Sequence, residues 1–122
     1  MSFWKEKSVL VTGATGLVGS WLVHRLLEEG AHVTALVLDR DPASQLLRSG
    51  DIERISIVNG NLNNYQDVSR AVFTNDCSIV IHLGAQTIVG TALFDPLTTF
   101  ESNIKGSWNL LEAVRQSKGL VE

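Results

Sequence analysis

Short apolar runs that alternate with helix-like segments constrain the fold of this chain more than any other feature. The runs are apolar almost throughout, as is typical of parallel strands that are buried on both faces. The segments between them carry apolar residues at helical spacing. We predict strands at residues 8–13, 32–38, 55–58 and 78–83, and helices at 17–30, 65–73 and 96–117, with one or two helical turns at 44–49.

This order of elements predicts an α/β fold in which helices cover both faces of a parallel sheet. Right-handed crossovers favour the strand order 3-2-1-4, with the strands numbered along the chain. Gly30 is placed to cap the first helix, and a polar, irregular loop is expected after Gly84. Leu120 and Val121 are expected to open a fifth strand, so the sequence stops before that strand is complete.

Two helices carry an apolar stripe that we expect to face the sheet. Trp21 lies beside Leu22 in the first helix. In the last helix the stripe consists of Ile104, Trp108 and Leu111, widened by Leu110 and Val114. Both tryptophans are therefore predicted to lie in the core rather than to stack on a ligand.

Composition excludes several classes of function. The 122 residues are enough for one domain with a core, and the net charge of −3 comes from lysines and arginines scattered among acidic residues. This pattern argues against nucleic acid and anionic membrane surfaces as partners. No run approaches the ~20 apolar residues of a membrane span, and the N-terminal residues do not resemble a signal peptide. Because Cys77 is the only cysteine, a cytoplasmic protein without disulfides is expected.

A glycine-rich turn between the first strand and the first helix carries the strongest functional signal. Gly13 permits a sharp turn, Gly16 lets the backbone approach a pyrophosphate, and Gly19 lets the helix pack closely on the sheet. The amide groups at a helix N-terminus bind phosphate. The sequence therefore predicts a dinucleotide-binding site formed by Gly13, Thr15, Gly16, Leu17, Val18 and Gly19.

Asp39 and Arg40 bear on the choice of dinucleotide. Asp39 ends the second strand, where a carboxylate can accept hydrogen bonds from the 2′-hydroxyl of an adenosine ribose. The same aspartate also suits a solvated turn, and Arg40 is able to pair with a 2′-phosphate. Because Asp39 would repel that phosphate, NAD is favoured over NADP.

Three sequence blocks resemble the extended short-chain dehydrogenase/reductase family, and within it the NAD-dependent sugar-nucleotide epimerases and dehydratases. The blocks are residues 12–20, 82–86 and 103–113, and they follow the family's order and spacing. The resemblance implies a Rossmann-type fold and a nucleotide-sugar substrate. Phe3, Trp4, Trp21 and Gln86 favour the 4,6-dehydratases, with those acting on CDP-glucose the most similar subfamily.

The resemblance also implies roles for individual residues along the cofactor. Leu17 and Val18 would bind the pyrophosphate, and Asp39 and Arg40 would bind the adenosine ribose. Asn61 and Leu62 would flank the adenine. The nicotinamide-ribose side would be lined by Leu83, Gly84 and Ala85, and Ser102 would approach the cofactor from the last helix. Two positions depart from the family. Asn61 replaces an aspartate, and Gly84 replaces an alanine, which we expect to loosen only the end of the strand.

Several residues leave two interpretations open. Gln86 and Thr87 follow the fourth strand, where open α/β sheets bind ligands, so they either contact a sugar or form a polar loop. His82 is either an acid/base group or, as we favour, a hydrogen-bonded structural histidine. The three histidines show no metal-like spacing with Cys77, and no metal site is predicted.

Catalysis in the family resembles hydride chemistry run by a Ser/Thr and a Tyr-x-x-x-Lys motif. Tyr65 is the only tyrosine, and Ser69 occupies the position where that motif has lysine. We therefore predict no catalytic residue here and interpret the chain as the N-terminal, cofactor-binding part of a larger enzyme. The alternatives are a non-catalytic NAD(P) sensor and a family reductase acting on a non-sugar alcohol or ketone.

Self-association is expected from the edge of the predicted sheet. With the order 3-2-1-4, the fourth strand would leave its outer backbone groups unpaired, and such an edge recruits another strand. A two-fold homodimer through this strand or the last helix is predicted.

Overall fold

The computed structural model describes residues 3–38, 45–85 and 89–117. Its elements are β1 (Ser8–Thr12), α1 (Leu17–Glu28), β2 (His32–Val37), α2 (Gln45–Arg48), a 3-10 helix (Asp51–Arg54), β3 (Ser56–Asn59), α3 (Tyr65–Thr74), β4 (Ile79–His82), α4 (Val89–Phe94), α5 (Pro96–Phe100), a π-helical segment (Glu101–Lys105) and α6 (Gly106–Gln116). Within these ranges, no helix has the length and apolar character needed to cross a membrane.

The four described strands form one parallel sheet in the order β3-β2-β1-β4, which confirms the predicted order. β1 lies at the centre, where Val11 pairs with Ala35 of β2 and with Ile81 of β4. The chain moves to one side of β1 for β2 and β3 and to the other side for β4. This change of direction places a crevice at the carboxyl ends of the central strands, where ligands bind in open α/β sheets.

Helices cover both faces of the sheet, as predicted, because β1 sends alternate side chains to opposite sides. Val9 and Val11 join one core cluster, and Leu10 joins the other; all three are fully buried. The first cluster also contains residues of α1, and the second contains residues of α3 and α6. Burial on both faces explains why the strand sequences are apolar without alternation.

Local signals explain where α1 ends and where α5 begins. Gly30 has a φ of +86°, and the N–H of Ala31 donates to the carbonyl of Leu26 at 3.0 Å, which is the hydrogen bond of a glycine-terminated helix. This confirms the predicted glycine cap. At α5, the carboxylate of Asp95 accepts from the N–H of Thr98, and proline at position 96 is the first helical residue.

Two predictions about the region after β4 were wrong. Residues 89–94 form the short helix α4, where an irregular loop was expected. This segment is too short to show a helical repeat of apolar residues, so its sequence carries no clear helix signal. The predicted helix 96–117 is interrupted by the π-helical segment Glu101–Lys105 between α5 and α6. A local change of helical pitch does not alter the apolar spacing enough to be detected in the sequence.

The predicted core positions of the two tryptophans were wrong, although Leu22 of α1 packs against the first core cluster as predicted. Trp21 is 52% exposed and Trp108 is 56% exposed, and the stripe that contains Trp108 faces outward. The sheet-facing positions of α6 are instead occupied by Gly106, Asn109, Leu110 and Ala113. These side chains are mostly small, so the helix packs closely on the sheet, and a hydrophobicity pattern does not register them as the buried face.

Candidate dinucleotide-binding site

A cleft of about 490 Å³ opens at the carboxyl ends of the central strands. Its lining comes from the glycine-rich turn, the first turn of α1, the ends of β2 and β3, the end of β4 and the π-helical segment. The predicted residues that the structure brings together there are Gly13, Thr15, Gly16, Leu17, Val18, Gly19, Asn61, Leu62, Leu83, Gly84, Ala85 and Ser102.

Sequence reasoning missed four lining residues: Leu36, Val37 and Leu38 at the end of β2, and Gly60 after β3. The apolar run of β2 was interpreted only as core. The signal that could have found them is the parallel sheet itself, because all of its strands end at the same edge as β1.

Close contacts between backbone atoms leave no room for side chains at two glycines of the glycine-rich turn. Gly13 has a φ of +76°, and a Cβ there would lie 2.7 Å from the carbonyl carbon of Leu83. A Cβ at Gly19 would lie 1.9 Å from the carbonyl oxygen of Gly13, so α1 approaches the turn as closely as a backbone allows. At Gly16 the corresponding distance to that oxygen is 3.3 Å. The turn is therefore a bare backbone surface facing the cleft.

The N-terminus of α1 suits an anion. Gly16 occupies the N-cap position without a side-chain hydrogen bond, and the first turn carries no acidic residue. Leu17 and Val18, which begin the helix, both line the cleft and are largely exposed. Because the first N–H groups of a helix lack intrahelical acceptors and carry the positive end of its dipole, this site favours phosphate.

The loop after β3 is held from α3. The carboxylate of Asp67 accepts from the N–H of Asn61 at 3.0 Å, and a Cβ at Gly60 would collide with the Asp67 side chain. The side-chain oxygen of Asn61 accepts from the N–H of Asn63 at 2.9 Å. Asn61 thus fixes its own turn, and one acceptor position of its oxygen is already used inside the protein.

Leu62 is enclosed between two glycines. A Cβ at Gly84 would lie 2.7 Å from one Leu62 methyl group, and a Cβ at Gly106 would lie 2.9 Å from its Cβ. The buried amide of Asn109 donates to the Leu62 carbonyl at 2.7 Å. Alanine at position 84 would require the terminal methyl group of Leu62 to rotate away, so the expectation that it is a minor change stays a prediction.

His82 takes the structural role that the sequence analysis favoured. Its Nδ1 lies 2.6 Å from the hydroxyl of Thr12, and its Nε2 lies 3.1 Å from the hydroxyl of Ser107. Burial lowers the pKa of the imidazole. With both ring nitrogens bonded inside the protein, and with no place in the cleft lining, His82 does not present an acid/base group to a ligand.

The structure does not describe four of the predicted site residues. Asp39, Arg40, Gln86 and Thr87 lie outside the described residues. Tyr65 begins α3 and packs against the second core cluster rather than lining the cleft. Across the part of the chain that the structure describes, no group of three His, Cys, Asp or Glu side chains is arranged to hold a metal ion.

Comparison with known proteins finds nucleotide-sugar 4,6-dehydratases among the relatives of this chain. A CDP-glucose 4,6-dehydratase from Salmonella typhimurium is 34% identical over 118 residues, which are 94% of this chain and 32% of that protein. A dTDP-glucose 4,6-dehydratase from Mycolicibacterium smegmatis is 34% identical over 110 residues, covering 88% of this chain and 33% of that protein.

Two solved structures of epimerases superpose on more than nine-tenths of this chain. The UDP-glucose 4-epimerase of Thermus thermophilus, solved in complex with NAD, superposes with a TM-score of 0.77 at 34% identity, covering 91% of this chain and 34% of that one. An epimerase from Methanothermobacter thermautotrophicus superposes with a TM-score of 0.80 at 30% identity, covering 97% of this chain and 34% of that one.

The chain spans about a third of the length of these relatives. The model of the NAD dependent epimerase/dehydratase family matches residues 9–121, nearly the whole sequence. The strand order of the sheet and the glycine-rich turn agree with these matches. The chain belongs to the NAD dependent epimerase/dehydratase family.

Proposed function

We propose that this chain binds NAD in the cleft as the cofactor-binding part of a nucleotide-sugar 4,6-dehydratase or 4-epimerase. The observation that carries the proposal is the bare backbone surface at Gly13, Gly16 and Gly19, which meets the exposed N-terminus of α1 inside a cleft at the sheet's switch point. A Cβ at Gly13 or Gly19 would collide with neighbouring backbone, so only glycine keeps the N-terminus of α1 this close to the strand ends, where its N–H groups can meet a pyrophosphate. Residues 1–122 would then form one NAD(P)-binding domain.

The lining divides into regions that suit the parts of a dinucleotide. The N–H groups of Leu17 and Val18 would bind the pyrophosphate, the loop with Asn61 and Leu62 would flank the adenine beside the end of β2, and Leu83, Gly84, Ala85 and Ser102 would meet the nicotinamide ribose. Ser102 lies in the π-helical segment, and such segments often occur at functional sites. Bound NAD would supply a hydride acceptor for oxidation at C4 of the sugar.

Similarity to a CDP-glucose 4,6-dehydratase supports the dehydratase side of the proposal. The chain itself contributes cofactor binding and no catalytic group. Its one tyrosine, Tyr65, packs at the start of α3, and Ser69 stands where the family's motif has lysine. Gln86 and Thr87 would contact the sugar at the end of β4.

Replacing Gly16 with valine tests the cleft directly. The side chain would project from a position that is already 3.3 Å from the Gly13 carbonyl oxygen, so we expect Gly16→Val to abolish NAD binding in calorimetry. Gly90→Val is the matched control, because a Cβ there meets nothing within 4 Å. Absence of heat and of thermal stabilisation at millimolar NAD in the unmodified chain would refute the cofactor proposal.

Asp39 is proposed to set the preference for NAD over NADP. Its carboxylate would accept from the ribose hydroxyl and repel a 2′-phosphate. We expect Asp39→Ala to bring the dissociation constants for NAD and NADP closer together, as measured by calorimetry with each dinucleotide. Tighter binding of NADP than of NAD to the unmodified chain would show that Arg40 dominates instead.

We also propose that the chain forms a two-fold homodimer through its last helices. A row of large apolar side chains, each at least half exposed, runs along one side of α5, the π-helical segment and α6. We call this row the α5–α6 ridge; it consists of Leu97, Phe100, Ile104, Trp108 and Leu111. Residues spaced by three and four form a continuous helical stripe, and a second copy related by a two-fold axis offers the same stripe.

A further inference from the structure

A chain of hydrogen bonds connects β1, β4 and α6 beneath the cleft. The hydroxyl oxygen of Thr12 accepts from the N–H of Gly84 at 3.0 Å and from that of Leu83 at 3.1 Å. The N–H of Leu83 also donates to the backbone carbonyl of Thr12 at 3.1 Å. The same hydroxyl lies 2.6 Å from Nδ1 of His82. Nε2 of His82 lies 3.1 Å from the hydroxyl of Ser107, which donates to the carbonyl of residue 103 at 2.9 Å.

The protons in this chain can be assigned by counting. The Ser107 hydroxyl has one proton and donates it to the carbonyl of residue 103, so at its contact with His82 it can only accept. Nε2 of His82 therefore carries the ring proton. Nδ1 of the neutral ring then accepts from the Thr12 hydroxyl. Only the neutral Nε2–H form of His82 completes the chain.

The Thr12 hydroxyl acts where β4 leaves the sheet. His82 is the last residue of β4 that pairs with β1, and the N–H of Gly84 lies beyond that ladder. A backbone N–H without an acceptor is unfavourable in a partly buried segment. The hydroxyl supplies that acceptor, and it thereby fixes the segment that faces the glycine-rich turn, since a Cβ at Gly13 would lie 2.8 Å from the Gly84 nitrogen.

We propose that Thr12, His82 and Ser107 are positioning residues that hold the Leu83–Gly84 wall of the cleft through a directional hydrogen-bond chain with His82 in its neutral Nε2–H form. The inference rests on the proposed function only where it is measured through NAD affinity. Its other consequences concern the chain without ligand.

The tautomer is tested by NMR on the chain labelled with ¹⁵N at histidine, with His82 assigned through a His82→Gln variant. We expect the couplings of the ring to show the proton on Nε2. Thr12→Val removes the donor to Nδ1 and should change the ring signals of His82, whereas Thr12→Ser should preserve them. A proton on Nδ1 in the unmodified chain would overturn the inference.

The positioning role is tested by amide exchange and by NAD affinity in the same variants. Thr12→Val keeps the shape of threonine without its hydroxyl, so the N–H of Gly84 should exchange faster and the Kd for NAD should rise about tenfold. Exchange at Leu83 should change less, because its N–H also donates to the Thr12 carbonyl. Thr12→Ser should keep the Kd within about twofold. Ser107→Ala, which breaks the far end of the chain, should weaken binding in the same direction and serves if Thr12→Val does not fold.

Thr34→Val is the matched control for a general loss of stability. Thr34 is also a buried strand threonine, and its hydroxyl accepts from Asn75 at 2.8 Å, but it does not line the cleft. Equal losses of NAD affinity in Thr34→Val and Thr12→Val would overturn the inference. If the unmodified chain binds no NAD, the proposed function fails, and the tautomer and amide exchange still decide the inference.

Discussion

His82 shows how a single side chain at a strand end can make folding sensitive to pH. Burial lowers its pKa from the ordinary value of 6.5, and its hydrogen bonds require the neutral ring. In the unfolded chain the same imidazole binds a proton below about pH 6.5. The unfolded state therefore binds more protons than the folded state in this range, and folding becomes less stable as the pH falls.

We expect the free energy of unfolding to decrease as the pH falls from about 7.5 to about 5.5, measured by urea denaturation across that range. His82→Gln retains a donor near the Nε2 position and does not titrate, so its stability should change less over the same interval. An equal slope in the variant and the unmodified chain would show that His82 is not responsible.

At the residue level, the glycines were predictable from sequence because each has a geometric cause tied to its position in a strand-turn-helix unit. Leu62 was predicted to lie beside the adenine, but its enclosure between Gly84 and Gly106 was not visible, since those residues are far apart in sequence. The outward position of Trp108 was missed for a related reason. Close approach of two backbones favours small residues, and small residues carry little hydrophobic signal.

At the level of the element, two neighbouring leucines lie on different faces of α6. Leu110 is 5% exposed and belongs to the second core cluster, whereas Leu111 is 69% exposed on the α5–α6 ridge. The helix is therefore positioned by one leucine and several small residues, with its most apolar side turned away from the sheet.

Substituting each leucine by alanine distinguishes the two faces. Leu110→Ala should lower the free energy of unfolding by about 2–5 kcal/mol, because it leaves a cavity against the sheet. Leu111→Ala should change it by no more than about 0.5 kcal/mol in the monomer. Both values come from urea denaturation at low protein concentration. The reverse order would mean that the predicted stripe, and not the small-residue face, packs on the sheet.

For the whole molecule, the sheet order was predictable because parallel strands and right-handed crossovers leave few arrangements. The sequence did not predict α4 or the π-helical segment, because six residues are too few to show a helical repeat and a local change of pitch hardly alters the apolar spacing. The molecule thus combines a covered sheet with an exposed α5–α6 ridge at one side. Because the ridge is exposed, the oligomeric state of the chain is the property that tests it.

We expect the chain to sediment as a dimer at high micromolar concentration, and Trp108→Glu to shift it to a monomer by placing a charge in the ridge. Trp21→Glu is the matched control, since Trp21 has nearly the same exposure but lies on α1. A stable monomer for the unmodified chain, or an equal shift in both variants, would contradict assembly through the ridge.

The enclosure of Leu62 has a consequence for how this sequence can diverge. Gly84, Leu62 and Gly106 come from three separate parts of the chain, yet their atoms share one small volume. A methyl group at position 84 would meet the terminal methyl group of Leu62, which can rotate away, whereas one at position 106 would meet the Leu62 Cβ, which cannot. Alanine is therefore expected to be tolerated at position 84 with leucine kept at position 62, and to be disfavoured at position 106 beside that leucine. Divergence around Leu62 would then be asymmetric, permitted at the end of the strand and restricted on the helix.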